Sequence, residues 1–165
     1  MITAGAFDID RYPEDYDLCF RFYEKGFKII GISETVHLWR DHPNRTSRNN
    51  PIYADQNYLE LKLYWLIRLH YDPKRPFVIW GAGKKGKLMA RYFLAQQISF
   101  HWITNNSKKQ GINIYDQILE SPDSLDFDQD LMILILVATP SARQEIEDFL
   151  IKKDKQRRKD YFWFC

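Results

Sequence analysis

Two short segments carry residue types that can do chemistry. Glu14 and Asp15 follow Tyr12-Pro13, and a loop from Trp39 to Arg48 holds Arg40, His42, Arg45 and Arg48 within nine residues. A carboxylate can take a proton from a hydroxyl, and guanidinium groups can grip phosphate oxygens through paired hydrogen bonds. His42 can donate to a phosphate or ligate a divalent metal. Each segment also has a plainer reading. Acids in a first helical turn complement the positive end of the helix without any further role. A loop rich in Arg and His can simply be a solvated surface, although Trp39 and Pro43 suggest a loop held in one shape.

A third segment is Gly81-Ala-Gly-Lys-Lys-Gly86, placed between an apolar run and a helical pattern. In such a turn Gly81 permits the tight bend, Gly83 lets a phosphate approach the backbone, and Gly86 lets helix pack on strand. The amides at the helix start would face an anion. A carboxylate that would hold a ribose is expected at the end of the next strand, but that strand ends Ile103-Thr-Asn-Asn-Ser107. Thr104 or Asn105 is left to make that contact. Thr139-Pro-Ser141, after the strongest apolar run, would border the same crevice. The turn either binds a nucleotide or keeps its glycines for packing alone. The missing acid argues against a dinucleotide-dependent oxidoreductase.

The elements that position these groups fall in two halves, divided at Tyr71-Asp-Pro-Lys-Arg-Pro76. In the first half, Pro13 suits the start of a helix, Leu18, Cys19, Phe22 and Tyr23 repeat at helical spacing, and Asp17 can pair with Arg21. Residues 27–32 and 35–39 read as two strands of a hairpin. Asn50-Pro51 opens a second helix, whose leucines and aromatics from Leu59 to Leu69 spread over most of its surface. In the second half the order is strand 77–80, helix to about residue 97, strand 100–104, an extended piece 112–115, a short helix 117–120, strand 131–139, a helix capped by Ser141 and Gln144, and strand 161–164. That alternation predicts an α/β fold: a small parallel Rossmann-like sheet with flanking helices, over residues 75–165.

The first half resembles the C-terminal part of a family 2 glycosyltransferase catalytic domain of the GT-A fold. The likeness rests on Gly5-Ala-Phe-Asp8, Pro13-Glu-Asp-Tyr-Asp-Leu18, Arg21, Gly26-Phe-Lys-Ile29 and Arg40-Asp-His42 to Ser47. It implies that residues 1–70 are a helix-hairpin-helix remnant of such a domain, with Asp15 as general base and Glu14 shaping the acceptor site. Arg40, His42, Arg45 and Ser47 would close on the donor diphosphate, with His42 able to join a Mn or Mg shell. It further implies a nucleotide-sugar and a saccharide acceptor as partners. The family's Asp-x-Asp half has no counterpart in this chain, so the chain is expected to be a fragment, inactive alone, that docks to that half or self-associates. The second half resembles small Rossmann-like domains beside sugar-modifying enzymes, through Ile79 to Lys87, with Thr104 where those relatives carry an acid.

Composition narrows the classes. The chain has 165 residues, 45% hydrophobic and 16% aromatic, which argues against disorder. Its formal net charge of +2 gives no global basic field, so no nucleic-acid partner is expected. The basic run Lys152 to Lys159 reads as a solvated helix end. Two distant cysteines, Cys19 and Cys165, allow neither a disulfide framework nor a zinc site, and no apolar run is long enough to span a bilayer. The expected location is the cytoplasm.

Overall fold

A computed structural model describes residues 3–8, 10–53 and 55–164, without the side chains of Ser47, Ile52, Asp55, Gln56 and Asn57. The chain divides into two compact units, Met1–Tyr71 and Asp72–Cys165. Cys165 lies outside the described residues.

The first unit is helical. Helix α1 (Glu14–Glu24) starts one residue later than proline at the first helical turn would suggest, because Pro13 itself is the N-cap. The four-residue α2 (Thr46–Asn49) and a single 3-10 turn precede α3 (Asp55–His70). Leu59, Leu61, Leu63, Trp65 and Leu66 are all buried, so α3 hides several faces rather than one stripe. α1 meets α3 through Phe20 stacked on Trp65, ring centroids 5.7 Å apart. Beside that stack lies a buried polar hub. The fully buried Asp17 accepts hydrogen bonds from Arg21 Nε and Trp65 Nε1, each at 2.8 Å. Arg21 continues to the carbonyl of Ala4 at 2.9 Å. The expected Asp17–Arg21 pair forms, and it is an internal tie.

The hairpin expected over 27–39 does not form; this stretch has no strand pairing. Ile29, Ile30, Ile32, Val36, Leu38 and Trp39 are exposed. Their β-branched pattern supplies strand propensity, but a strand also needs a partner for its backbone groups and a surface to cover. The GT-A remnant is thus replaced by helices joined by an irregular stretch.

The second unit is α/β. Its sheet contains β1 (Phe77–Trp80), β2 (His101–Ile103), β3 (Asn113–Ile114), β4 (Gln117–Glu120), β5 (Met132–Ile135) and β6 (Tyr161–Trp163), in spatial order β3-β4-β2-β1-β5-β6. All neighbouring pairs are parallel except β3–β4. The sheet is mixed, where a parallel one was expected. The short helix expected at 117–120 is a strand, and Leu119 is buried beside Trp102 in the ladder.

Side chains alternate across the sheet, as strand geometry requires. Phe77 faces α4 (Lys84–Ala95), where Phe93 meets it at 4.7 Å between ring centroids. Val78, Trp80, Ile133 and Ile135 face the other way, against Ile146 and Leu150 of α5 (Pro140–Lys152). Central strands buried on both faces explain the continuous apolar runs at 77–80 and 131–136. Helix α5 is capped at Thr139 with Pro140 in its first turn, so the expected Ser141–Gln144 capping box is not used; Gln144 instead donates to Asp148 at 2.8 Å. Among the described residues, no helix is long and apolar enough to cross a membrane.

Candidate functional site

The chain runs outward from β1 to β2 and β4, then returns to the other side of β1 as β5 and β6. Strand order reverses between β1 and β5, and in open α/β sheets the crevice beyond the strand ends at such a point is where ligands sit. Here the two segments leaving that point are Gly81–Gly86 and Leu136–Thr139.

Their packing assigns different jobs to the three glycines. Gly81 has φ +126°, and a Cβ there would lie 3.0 Å from the Leu136 carbonyl oxygen. A Cβ on Gly86 would run into the Gly81 carbonyl oxygen. That same oxygen accepts a buried hydrogen bond from Trp102 Nε1 at 2.9 Å. The Gly81 carbonyl is therefore wedged between helix and indole, and both outer glycines are demanded by the protein's own packing. Gly83 differs. It is the N-cap of α4, makes no side-chain cap, and a Cβ placed on it meets nothing within 4 Å.

The end of β2 is built from amides and cations. Thr104 is buried, and its hydroxyl accepts from the Asn106 amide at 3.2 Å while its carbonyl accepts from Gln110 at 2.9 Å. Asn105 Oδ1 accepts from Trp80 Nε1 at 2.6 Å, which turns the amide nitrogen of Asn105 away from that bond. Lys109 folds back from the turn Ser107–Lys109, and its Nζ donates to the Ala82 carbonyl at 3.3 Å. Sequence reasoning passed over Lys109. The signal was present as a lysine pair directly after the polar strand end. Thr139 is exposed at the start of α5 and makes no capping hydrogen bond.

The first unit has a cleft of its own, about 440 Å³. Glu14 and Asp15 line it from the first turn of α1, Trp39, His42 and Arg45 from the loop, and Tyr53 and Tyr58 from the segment beyond. Arg45 lies over the Trp39 ring at 4.6 Å and 3.8 Å from Asp41. The phenols of Tyr53 and Tyr58 are pushed up, first by burial and then by the nearby carboxylates of Glu14 and Asp15. Both stay protonated at neutral pH, and the Tyr53 hydroxyl donates to the Glu14 carboxylate at 3.3 Å. Arg40 is exposed and is not part of the lining. Ser47 falls in α2, but its side chain lies outside the described residues. His42 has no metal-binding company: among the described residues, no group of three or more His, Cys, Asp or Glu side chains could hold an ion.

No protein-family model matches the chain. Similar solved structures include RSP, a Rex-family repressor, and RSP in complex with β-NADH. Each is 17% identical over 67% of this chain, with TM-scores of 0.41 and 0.44 respectively, and the chain spans about half (53%) of the length of each. These findings correct the glycosyltransferase expectation for residues 1–70, since the similar structures are of a repressor and its NADH complex. They correct the partner expectation with it: neither the nucleotide-sugar and saccharide pair nor the exclusion of nucleic acid stands.

Proposed function

We propose that residues 72–165 form a nucleotide-binding module, with ligand phosphate seated on the Gly81–Gly86 turn. The observation that carries this reading is the contrast among the glycines. Packing accounts for Gly81 and Gly86, whereas Gly83 is bare toward open space at the first turn of a helix. That is the room a phosphate oxygen needs beside unpaired helix amides. The absence of acidic residues in the first turn of α4, with Lys84, Lys85 and Lys87 there instead, favours an anion.

Calorimetry of the chain with AMP, ADP and NADH tests the reading. Saturable binding is expected, and Gly83→Val should weaken it about tenfold or more by occupying the phosphate position. The same variant should alter stability by no more than about 1 kcal/mol, because its side chain enters empty space and only the helix cap changes. No heat with any of these nucleotides would leave the turn a packing device.

A further inference from the structure

Resting on that reading, we propose that the module selects nucleotides carrying a second phosphate on the ribose, as a phosphomonoester. In a site of this topology the ribose lies near the end of the second strand, where a carboxylate binds its hydroxyls and repels added negative charge, while a nearby cation accommodates a phosphate. Here the segment from Thr104 to Lys109 contains no carboxylate. Ser107 and Lys108 are exposed on it, and Lys109 holds its ammonium against the glycine turn through the Ala82 carbonyl at 3.3 Å. One such bond leaves two ammonium protons to donate. The Trp80–Asn105 bond at 2.6 Å uses the oxygen of Asn105, so its NH₂ remains a donor at the same strand end.

Electrostatics points the same way. The carboxylate at the end of the adjacent strand β4, Glu120, is engaged by His101 at 3.1 Å and by Ser124 at 3.2 Å. Lys84, Lys85 and Lys87 add positive charge at the start of α4, although the whole chain carries only +2. A nucleotide with one phosphate chain would satisfy the glycine turn and offer no anion to Lys108 or to the two remaining ammonium protons of Lys109. A ribose phosphomonoester supplies that anion, and a charge-assisted hydrogen bond to it strengthens binding about tenfold or more.

The test is calorimetry of the full chain with adenosine 2′,5′-bisphosphate, adenosine 3′,5′-bisphosphate and AMP, with tripolyphosphate as a charge control. At least one bisphosphate is expected to bind about tenfold or more tightly than AMP, and which one identifies the ribose position recognised. Lys109→Met combined with Lys108→Ala should close that gap, lowering bisphosphate affinity about tenfold or more beyond any loss it causes for AMP. AMP binding that is Gly83-dependent but equal to that of both bisphosphates would overturn this inference and leave the module itself standing. Tripolyphosphate binding as tightly as the preferred bisphosphate would also overturn it, showing charge attraction without ribose recognition. No binding by any nucleotide would overturn both.

Discussion

In residues 1–71 the buried polar group is a carboxylate, Asp17, reached by an arginine and an indole from different turns and helices. In residues 72–165, where Thr104 and Asp160 are buried as well, the group that seats the glycine turn is a backbone carbonyl, that of Gly81, reached by the indole of Trp102 and pressed by Gly86. The first arrangement ties two helices together with charge. The second seats a turn between the start of α4 and the indole of Trp102. At these two points the units should therefore fail differently: the α1–α3 contact through loss of one charge, the glycine turn through loss of space.

The largest effect is expected from Asp17→Ala. It leaves the Arg21 guanidinium, whose Nη2 is already buried without a partner, uncompensated beside Trp65. Breaking a buried pair from one side costs about 3–5 kcal/mol. Amide hydrogen exchange should show protection lost across α1 and α3 while β1 and β5 keep theirs. Equal loss in both units would mean that the units do not stand on separate cores.

Gly86→Ala reverses the pattern. Its methyl collides with backbone rather than with a side chain that could turn away, so overpacking of about 3 kcal/mol is expected. Protection should now fall in α4, β1 and β2 and persist in α1. A change at the same carbonyl, Trp102→Phe, puts a smaller ring in place of the buried indole and strands the Gly81 oxygen, the latter at a cost of about 1–3 kcal/mol. If Trp102→Phe proves as costly as Gly86→Ala, the carbonyl rather than the helix approach is what fixes the turn.

The same contrast governs how much could be read beforehand. The sheet was legible because residues 77–80 and 131–136 are apolar on consecutive positions, a pattern that only a strand buried on both faces needs. The glycine turn was legible because its three glycines have fixed spacing between strand and helix. β4 was not, because four residues hold no readable period. Its hairpin turn, Tyr115-Asp116, places both residues at positive φ (58° and 59°), a conformation that Asn and Gly normally announce. The 27–39 stretch misled in the opposite direction: propensity was present and pairing was not. The cleft residues Glu14, Asp15, His42 and Arg45 were picked as two segments by residue type and joined only by a resemblance, and their meeting round one cavity depends on chain path, which spacing does not show. Lys109 stood in the sequence as half of a lysine pair after the strand end, but only the folded turn brings it to Ala82, far back in the chain.

The smallest expected effect is on acid response. Burial lowers the pKa of His70, at the end of α3, below its ordinary 6.5. The unfolded chain therefore takes up this proton first as pH falls. Its contribution to stability is complete above about pH 6.5 and is lost progressively below that, until the folded form is protonated too. In the other unit, Asp126 is shifted down, chiefly by the Asp128 amide and then by Gln129. A depressed carboxylate keeps its contribution at every pH above its ordinary 3.8 and loses it only below. Between about pH 7.5 and 5.5 the two units should thus part company. Urea titrations followed by resolved amide signals should show the midpoint of α1 and α3 falling with acidification while that of β1 and β5 holds. His70→Phe should flatten the first response, since an uncharged ring cannot take the proton. A midpoint that falls equally in both units, or one unaltered by His70→Phe, would place the acid sensitivity elsewhere than on His70.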